Sequence, residues 1–343
     1  MRDGETVDPT TWTKRVRTGA VTVDDAVDPD RVLDEYAAGA TVVLQSLQRW
    51  WPPVTRFCRD LETTLTHAVQ ANAYLTGPDA VGLAPHHDTH DVFVLQIHGT
   101  KHWVVREPLV DAPLRRHRSE PDTAGRQPVL FETELRPGTC MYLPRGVVHS
   151  ARAQAGSSLH LTIGVLATTA ADVVRLVGRL AGDDPALRRT LPLGWAHDPA
   201  VAVAAVKGIL DELVEFTAGL DASDLAGRLT DGFVTSRRGA PQGRLLDLER
   251  STSIDDDTIV VRRETPVSRI DEVDGRLRIR TADRTVESPA VVGPVVHRLF
   301  DGHPRRVGEL ADLADAESRV VLVRRLVREG LLRIVPDGSD VDA

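Results

Sequence analysis

The pattern of hydrophobic and polar residues divides the chain into stretches that differ in their predicted secondary structure. In the first 70 residues it predicts an amphipathic helix from Asp30 to the stop signal Gly39, and a buried strand over residues 41–44. A second helix is expected to open at Pro52, because proline is favoured in the first turn of a helix, where its missing N–H costs no hydrogen bond. Its apolar residues at helical spacing are Val54, Phe57, Leu61, Leu65 and Val69. The chain therefore begins with mixed helix and strand.

Between residue 71 and about residue 165, the apolar residues come in short runs separated by turn residues. The runs are rich in β-branched and aromatic residues, which favour strands. They lie at residues 72–76, 92–97, 102–105, 140–143 and 159–163. Several short strands at this spacing are typical of a β-sandwich or a small barrel. Residues 110–130, rich in Arg, Pro and Asp, are expected to form an exposed loop inserted between strands.

From about residue 169 to residue 220, apolar residues recur at helical spacing. Two apolar faces result: Val173, Val174, Val177 and Leu180 form the first, and Ile209, Leu210, Leu213 and Val214 form the second. Such faces need a partner surface, and a second copy of the chain is the expected one.

The last hundred residues form a third stretch. A strand is predicted over residues 259–261, and Asp274-Gly275 between two alternating runs is typical of a hairpin turn. Ser288-Pro289 is expected to start a helix. Further helices are predicted near residues 307–313 and 318–329, and a strand over residues 331–335. Three helices and a β-wing indicate a winged-helix-like module.

Composition and charge are those of an ordinary globular protein. Of the 343 residues, 41% are hydrophobic and 27% charged, and no apolar run approaches the length of a membrane span. The acidic N-terminus is not a signal peptide, and the two cysteines belong to no CxxC pattern, so we expect a reduced, cytoplasmic setting. The net charge of -8 argues against a protein that binds nucleic acid by neutralising phosphates.

Candidate chemistry is concentrated among the predicted strands. Five of the 12 histidines lie between His86 and His102. Alternate residues of a strand point to one face, so His86 and Asp88 would share a side while His87 points away. A third ligand must come from a neighbouring strand, and His149 is the natural candidate. Two histidines and one carboxylate on one face of a metal are the ligand set of non-haem Fe(II) oxygenases.

These residues stand in a longer pattern that resembles the JmjC-type cupin family, which includes the bacterial and human ribosomal oxygenases. The pattern runs through residues 72–76, 82–96, 99–103, 144–149 and 158–162. The resemblance implies an α+β chain with a double-stranded β-helix (cupin or jelly-roll) core, a helical dimerisation region and a C-terminal winged-helix-like module. The expected domains are a catalytic domain over 1–165, a dimerisation region over 166–235 and a winged-helix-like domain over 236–343.

By the same resemblance, the two histidines and the aspartate named above align with the catalytic iron ligands. Lys101 falls where the family places the basic residue that pairs with the distal carboxylate of 2-oxoglutarate, and Tyr74 and Thr162 align with hydroxyl donors near it. A carboxylate inside a barrel needs a cation and hydrogen-bond donors. Asn72 is expected to orient the co-substrate. The alternative for Lys101 is an exposed lysine at the end of a strand, and the alternative for Thr162 is an ordinary strand threonine.

The remaining histidines have less specific expectations. His87 replaces the aromatic residue usual at its position and is expected to line the pocket or its rim, with core or rim packing favoured over substrate binding. His90 shares the strand parity of His86 and is a candidate neighbour of the metal. The residues expected to be structural are His98, His102, His160 and Trp103.

The resemblance implies a 2-oxoglutarate-dependent dioxygenase that uses Fe(II), 2-oxoglutarate and O2 to hydroxylate a C–H bond, with succinate and carbon dioxide as by-products. The leading substrate class is a residue in a protein, above all a ribosomal protein, because basic ribosomal proteins suit an acidic enzyme. A small molecule or a peptide natural product is the alternative. The exact target does not carry over, since His87 and the loop at 110–130 depart from the family pattern. No membrane partner is expected. The chain is expected to form a homodimer.

Two hypotheses from other classes compete with the oxygenase. A metal-binding cupin that is not an oxygenase would keep the three ligands but would have no need of Lys101 and Tyr74.

A DNA-binding regulator is the second competitor, and it would use the arginines of the last predicted helix. Those arginines are Arg319, Arg324, Arg325 and Arg328. They lie opposite an apolar stripe, where arginines usually form a solvated face. The carboxylates that count against a phosphate-binding surface are Glu317, Glu329 and the run of three aspartates at 255–257. A nucleic-acid partner is therefore not expected.

Overall fold

The computed structural model describes residues 1–2, 4–117, 120–237, 243–263, 267–281 and 284–335. The chain forms two compact units, Met1–Thr168 and Thr169–Ala343. Residues 118 and 119 of the predicted loop and the last eight residues of the predicted third domain lie outside the described residues. The division of the second unit near residue 235 stays a prediction.

The first unit is built mainly of strands. Its strands are β1 (Thr13–Thr18), β2 (Val21–Val27), β3 (Val42–Leu44), β4 (Ala68–Thr76), β5 (Asp91–His98), β6 (Lys101–Pro108), β7 (Val129–Leu135), β8 (Cys140–Leu143), β9 (Val147–Ala153) and β10 (Ser158–Leu166). Its helices are α1 (Pro9–Trp12), α2 (Pro29–Ala37), α3 (Pro52–Leu65) and α4 (Pro121–Ala124).

Two antiparallel sheets form the cupin-type core. The larger sheet has the strand order β3-β4-β10-β5-β8, and the smaller one has the order β7-β6-β9. Val92 and Val94 of the larger sheet share one buried cluster with Trp103 and Val105 of the smaller sheet. The two sheets therefore pack face to face, which confirms the predicted β-sandwich.

Helix α3 covers the other face of the larger sheet. Its Val54 and Cys58 are buried against Ala71 of β4 and Ile163 of β10. Burying a side chain of this size contributes about 1.5–3 kcal/mol relative to leaving it in water. Because side chains alternate along a strand, every second residue of β4, β5 and β10 is left to face the smaller sheet.

A tight turn at Gly99 carries the chain from the larger sheet to the smaller one. Its φ of 63° lies in the left-handed region, and a Cβ there would meet the carbonyl oxygen of Ser157 at 2.0 Å. Only glycine fits this position without a shift of the backbone. The turn sets where β6, and with it Lys101, begins.

Several details of the first unit differ from the sequence prediction. The second helix ends before Thr66, whose φ is 53°, so Val69 lies in β4 and not on the helix. Strands β7 and β9 were not predicted, because their apolar residues are interrupted by polar ones. The segment 110–130 contains α4, and Ala124 is fully buried, so the segment is not simply an exposed loop.

The second unit begins with helices and ends in mixed structure. Its helices are α5 (Ala170–Asp183), α6 (Pro199–Ala218), α7 (Ala222–Thr235), α8 (Arg244–Arg250), α9 (Gly293–Leu299) and α10 (Ala316–Arg328). Its strands are β11 (Ile259–Arg262), β12 (Val267–Val273), β13 (Arg276–Thr281), β14 (Thr285–Pro289), β15 (Arg305–Arg306) and β16 (Leu332–Ile334).

The core of the second unit lies around α10. Leu322, Val323, Leu326 and Val327 of that helix are buried in one cluster with residues of α9, β11 and β13. The hairpin predicted at Asp274-Gly275 is confirmed: both residues have positive φ, as the tight turn between β12 and β13 requires.

The predicted helix start at Ser288-Pro289 is wrong. Both residues close strand β14, where Ser288 pairs with Leu277 and Pro289 with Arg276. Proline is tolerated there because the end of a strand needs no further ladder hydrogen bond. Helix α9 begins only at Gly293. The helix predicted near 307–313 is a 3-10 turn over Val307–Leu310.

The helices predicted between residues 169 and 220 are present as α5 and α6. None of the residues of α6 is buried. In the part of the chain that the structure describes, no helix combines the length and the apolar character that crossing a membrane requires.

Candidate metal centre

His86 and His149 are brought together by a single β-bridge. The backbone N–H of His86 donates to the carbonyl of His149 at 3.1 Å, and the N–H of His149 donates to the carbonyl of His86 at 2.8 Å. His86 lies outside any regular strand, so the strand predicted for the His86-His87-Asp88 run is wrong. The alternation deduced from it still holds, because the bridge fixes His86 in an extended conformation.

The three predicted ligands converge on one point. One ligand atom from each of His86, Asp88 and His149 lies within 4.8 Å of the other two, a spacing that a metal ion could bridge. Nε2 of His149 lies 3.6 Å from Oδ2 of Asp88, and the two imidazole rings are 4.4 Å apart. Two imidazole nitrogens and a carboxylate oxygen suit a divalent transition metal.

Both imidazoles are oriented by backbone carbonyls. Nδ1 of His86 donates to the carbonyl of Ala84 at 2.8 Å, and Nδ1 of His149 donates to that of Val147 at 3.1 Å. A carbonyl can only accept, so Nδ1 of each ring carries a proton, and Nε2 of each ring is the atom left for a metal. Burial lowers the pKa of His149 to about 4, and the nearby His86 adds to this shift, so the ring is neutral at pH 7. Neutral, preoriented imidazoles are what a metal site needs.

A cavity of about 290 Å³ leads from this cluster into the space between the two sheets. The strand register explains its lining. Tyr74 of β4 stands opposite His160 of β10, and Asn72 opposite Thr162, so all four side chains point inward. In the smaller sheet, the same alternation turns Lys101 toward the cavity.

Lys101 is a buried cation without a buried anion. It is 2% exposed, and its Nζ donates to Thr76 Oγ1 at 2.9 Å. No carboxylate of the described residues lies within ion-pair distance of it, and burial lowers its pKa to about 8. The alternative of an exposed strand-end lysine is therefore wrong. A buried ammonium in a cavity calls for a negatively charged ligand.

The hydroxyl and amide groups predicted beside Lys101 all line the same cavity. Burial raises the pKa of Tyr74 to about 12, with a smaller contribution from Asp88, so the phenol stays protonated and can donate. Asn72 accepts a hydrogen bond from the backbone N–H of Ser46 at 2.9 Å, which fixes its amide. Thr162 lies between Asn72 and Val94 across the ladder.

The structure also places residues here that the sequence did not single out. Thr76 bonds both Lys101 and Thr41, with the two threonine hydroxyls 3.1 Å apart. His160, expected to be structural, stacks on Tyr74 at 5.0 Å and has a buried Nδ1 without a partner among the described residues. The inward direction of Thr76 and His160 could have been predicted from strand alternation, because each is two residues from a predicted site residue on the same strand.

Two further histidines are now placed. His90 lines the cavity and packs on Gly164, whose missing side chain makes room for the ring. His87 is buried and does not line the cavity; its Nε2 donates to the carbonyl of His117 at 3.1 Å. Its burial fits the expected core packing, and it holds the segment that follows β6 rather than lining the pocket.

The comparisons with known proteins agree with the predicted resemblance. Residues 44–173 match the family model of the JmjC domain. The bifunctional lysine-specific demethylase and histidyl-hydroxylase NO66 of Aedes aegypti is 33% identical over 180 residues, which cover 50% of this chain and 28% of that protein. Ribosomal oxygenase 1 of Homo sapiens is 39% identical over 133 residues, which cover 37% of this chain and 20% of that protein.

A solved structure, that of the Escherichia coli ribosomal oxygenase YcfD in complex with cobalt and 2-oxoglutarate, is similar with a TM-score of 0.49 and 17% identity. The match covers 86% of this chain and 78% of that chain. The chain spans less than a third of the length of the curated relatives named above. The predicted resemblance to the JmjC family is confirmed for the segment 44–173.

Proposed function

We propose that the JmjC domain at residues 44–173 is the catalytic part of an Fe(II)- and 2-oxoglutarate-dependent oxygenase that hydroxylates a C–H bond of a protein substrate. The observation that carries the proposal is a pair of features in one cavity: three converged metal ligands and, deeper between the sheets, an unpaired buried lysine. A metal-binding cupin without a dicarboxylate co-substrate has no use for the lysine.

The residues present fit both absent groups. His86, Asp88 and His149 offer the ligand set of a non-haem Fe(II) site, and the Nδ1 contacts of the two rings leave each Nε2 to the metal. Lys101 offers the charge that the distal carboxylate of 2-oxoglutarate would need, and Tyr74 offers a hydroxyl. When bound, Fe(II) and 2-oxoglutarate supply the oxidative chemistry, with O2 as oxidant and succinate and carbon dioxide as by-products.

The chain's own residues position and shield this chemistry. Lys101, held by Thr76, would fix the far end of the co-substrate, while Asn72 and Thr162 would fix its orientation between the sheets. The apolar floor of Val92 and Val94 limits water around the bound dicarboxylate. Low polarity strengthens the pairing of Lys101 with a carboxylate, because few water dipoles compete with it.

For the substrate, we propose a residue of a ribosomal protein as the leading class. Two supports are the names of the relatives, which include ribosomal oxygenase and histidyl-hydroxylase, and the acidic net charge of -8, which suits a basic protein. A small molecule or a peptide natural product is the second candidate, because the segment that His87 anchors departs from the family pattern.

We also propose that the chain forms a homodimer through its helical region and that residues 236–343 are a winged-helix-like module in a cytoplasmic protein. Support for the dimer comes from α6, where Val203, Val206, Leu210 and Val214 are each at least half exposed. Their spacing puts them on one narrow stripe of the helix. An apolar stripe of this length is an interaction surface in most proteins.

The substrate proposal is tested by incubating ribosomal proteins with the enzyme, Fe(II), 2-oxoglutarate and O2, and measuring peptide masses. We expect one peptide to gain the mass of one oxygen atom with wild type and not with Asp88→Ala. The control is His102→Ala, which alters a histidine on the outer face of β6 and should leave the product unchanged. Succinate formation without any modified ribosomal peptide would contradict the substrate class while leaving the oxygenase intact.

A further inference from the structure

A second cavity, of about 530 Å³, lies in the second unit and is dominated by arginine. Four guanidinium groups line it: Arg324, Arg325 and Arg328 from α10, and Arg284 from the segment just before β14. Glu329 is the one carboxylate in the lining, and Leu248 and Val321 form its apolar part. None of these residues belongs to the JmjC domain or has a role in the chemistry proposed above.

Most of the positive charge in this cavity is not neutralised. Arg324 donates through Nε to the carbonyl of Ser251 at 2.9 Å, a contact that fixes the side chain but leaves its charge uncompensated. For Arg325 and Arg328, no carboxylate of the described residues lies within ion-pair distance. Glu329 is already bound to Arg284, with Nη1 and Oε2 3.0 Å apart.

A neighbouring cavity of similar size, about 520 Å³, provides a contrast. There Arg278 pairs with Glu287 at 2.9 Å, and Arg280 pairs with Asp231 at 2.8 Å. The lining of that cavity carries its own anions, so it has no need of a charged ligand. The uncompensated charge on α10 is therefore specific to one cavity and does not simply follow from the high arginine content of the chain.

Two of the carboxylates that weighed against an anion site in the sequence are paired with arginines outside this cavity. Asp256 is bound by Arg319, which is only 8% exposed, and Asp257 is bound by Arg306 at 3.2 Å. The expectation that Arg319 belongs to a solvated face is wrong for the same reason. The net charge of -8 describes the whole chain and hides this local excess of positive charge.

A purely structural role for these arginines explains only part of the arrangement. Arg325 and Arg328 lie in the last turn of α10, where cations stabilise the negative end of the helix dipole. That effect is satisfied by one or two exposed charges on the helix itself. Arg324 is placed by the carbonyl of Ser251, and Arg284 is placed by its pair with Glu329. What these contacts leave unexplained is that, among the described residues of the lining, one carboxylate faces four guanidinium groups.

We propose that this arginine cavity binds a phosphorylated ligand with at least two negative charges. Guanidinium groups match phosphate oxygens in pairs, and several of them in one concave site favour a diphosphate or successive phosphates over a single carboxylate. The ligand is either a free organic phosphate or the phosphate backbone of an RNA. The site needs neither iron nor 2-oxoglutarate, so its test is independent of the oxygenase chemistry.

The test is a titration of the full, metal-free chain with inorganic pyrophosphate by calorimetry, and with a labelled single-stranded RNA by fluorescence polarisation. We expect Arg325→Gln/Arg328→Gln to lose about tenfold or more in affinity, since hydrogen bonds to charged groups are the stronger kind. The charge-matched control is Arg298→Gln/Arg305→Gln in the same unit, whose partners are Asp312 and Asp301. We expect it to bind like wild type, and circular dichroism checks that each variant is folded.

A gain-of-binding variant makes the test sharper. Glu329→Gln removes the one carboxylate among the described residues of the lining, and with it a negative charge beside the ligand, so we expect it to bind pyrophosphate more tightly than wild type. Saturable pyrophosphate binding that RNA cannot displace would identify a free phosphate as the ligand, and tighter RNA binding lost in the double variant would identify the backbone. No binding of either probe at low salt, equal losses in Arg298→Gln/Arg305→Gln, or equal binding of a polyglutamate peptide would overturn the proposal.

Discussion

At the scale of single residues, Lys101 has the least favourable environment for its charge. It is a buried ammonium whose contact is the neutral hydroxyl of Thr76, and burial lowers its pKa from 10.5 to about 8. In a protein without a ligand, such a group lowers the stability of the folded state. The arrangement is explained if the folded protein is normally filled by an anion that pairs with the lysine.

Replacing Lys101 with methionine should therefore separate stability from binding. We expect Lys101→Met to raise the free energy of unfolding of the ligand-free protein by about 1–2 kcal/mol, because an uncompensated buried charge is replaced by an apolar chain of similar length. The same variant should no longer bind 2-oxoglutarate. Denaturant unfolding and equilibrium binding check the two effects. The control is Arg56→Met on the exposed surface of α3, and a loss of stability in Lys101→Met would contradict the interpretation.

The lowered pKa of Lys101 also predicts a pH dependence. In the empty cavity the lysine loses its proton as pH rises through about 8, whereas pairing with a carboxylate favours the charged form. The affinity for 2-oxoglutarate should thus be constant below that pH and should fall above it, by up to about tenfold per pH unit. Binding measured between pH 6 and pH 10 tests this. A Lys101→Arg variant that still binds should show no such decline, and a flat profile for wild type would contradict the assignment.

The inward direction of the candidate site residues was predictable, because alternate residues along a strand point to the same face of the sheet. Tyr74, Lys101 and Thr162 were placed on inward faces by the resemblance, and alternation along β4, β6 and β10 puts them there. Thr76 was not predicted as a partner of Lys101, since no local pattern tells which inward hydroxyl a long side chain will reach. The partner of His87, the carbonyl of His117, was not predicted because it belongs to a segment with no regular pattern.

At the scale of elements, the predictions succeeded where periodicity was uninterrupted. Helices α2 and α3 and strands β5 and β10 were identified from spacing alone. Strands β7 and β9 were missed because charged residues such as Glu132 and Arg152 break their apolar pattern. The end of α3 was also misjudged, since it is set by a threonine with positive φ and not by the glycine that usually marks a helix end.

Helix α6 carries the element-scale prediction. Its apolar stripe is exposed in the single chain, so a charge placed there should weaken dimerisation rather than folding. We expect Leu210→Glu to raise the dimer dissociation constant at least about tenfold, because burying a carboxylate costs more than 1.4 kcal/mol. Light scattering coupled to size exclusion measures the oligomeric state. The control is Glu212→Ala on the same helix, and a wild-type monomer at high concentration would contradict the dimer.

At the scale of the whole molecule, each unit has its own core. The clusters around α3 and between the sheets lie within residues 1–168, and the cluster around α10 lies within residues 169–343. The sequence indicated separate regions because the spacing of apolar residues changes from strand-like to helical near residue 165. The net charge did not indicate the arginine cavity on α10, because the value of -8 is a sum over the whole chain.

The central claim is that one cavity binds a metal and 2-oxoglutarate together. The most direct measurement is an anaerobic titration of the metal-free protein with Fe(II) and 2-oxoglutarate, followed by the visible charge-transfer band of the chelate. We predict a band in wild type and in the outward-facing control His102→Ala, none in Asp88→Ala, and a much weaker one in Lys101→Met at equal ligand concentration. A folded, iron-loaded wild-type protein that gives no band would contradict the 2-oxoglutarate mechanism and would favour a metal-binding cupin that is not an oxygenase.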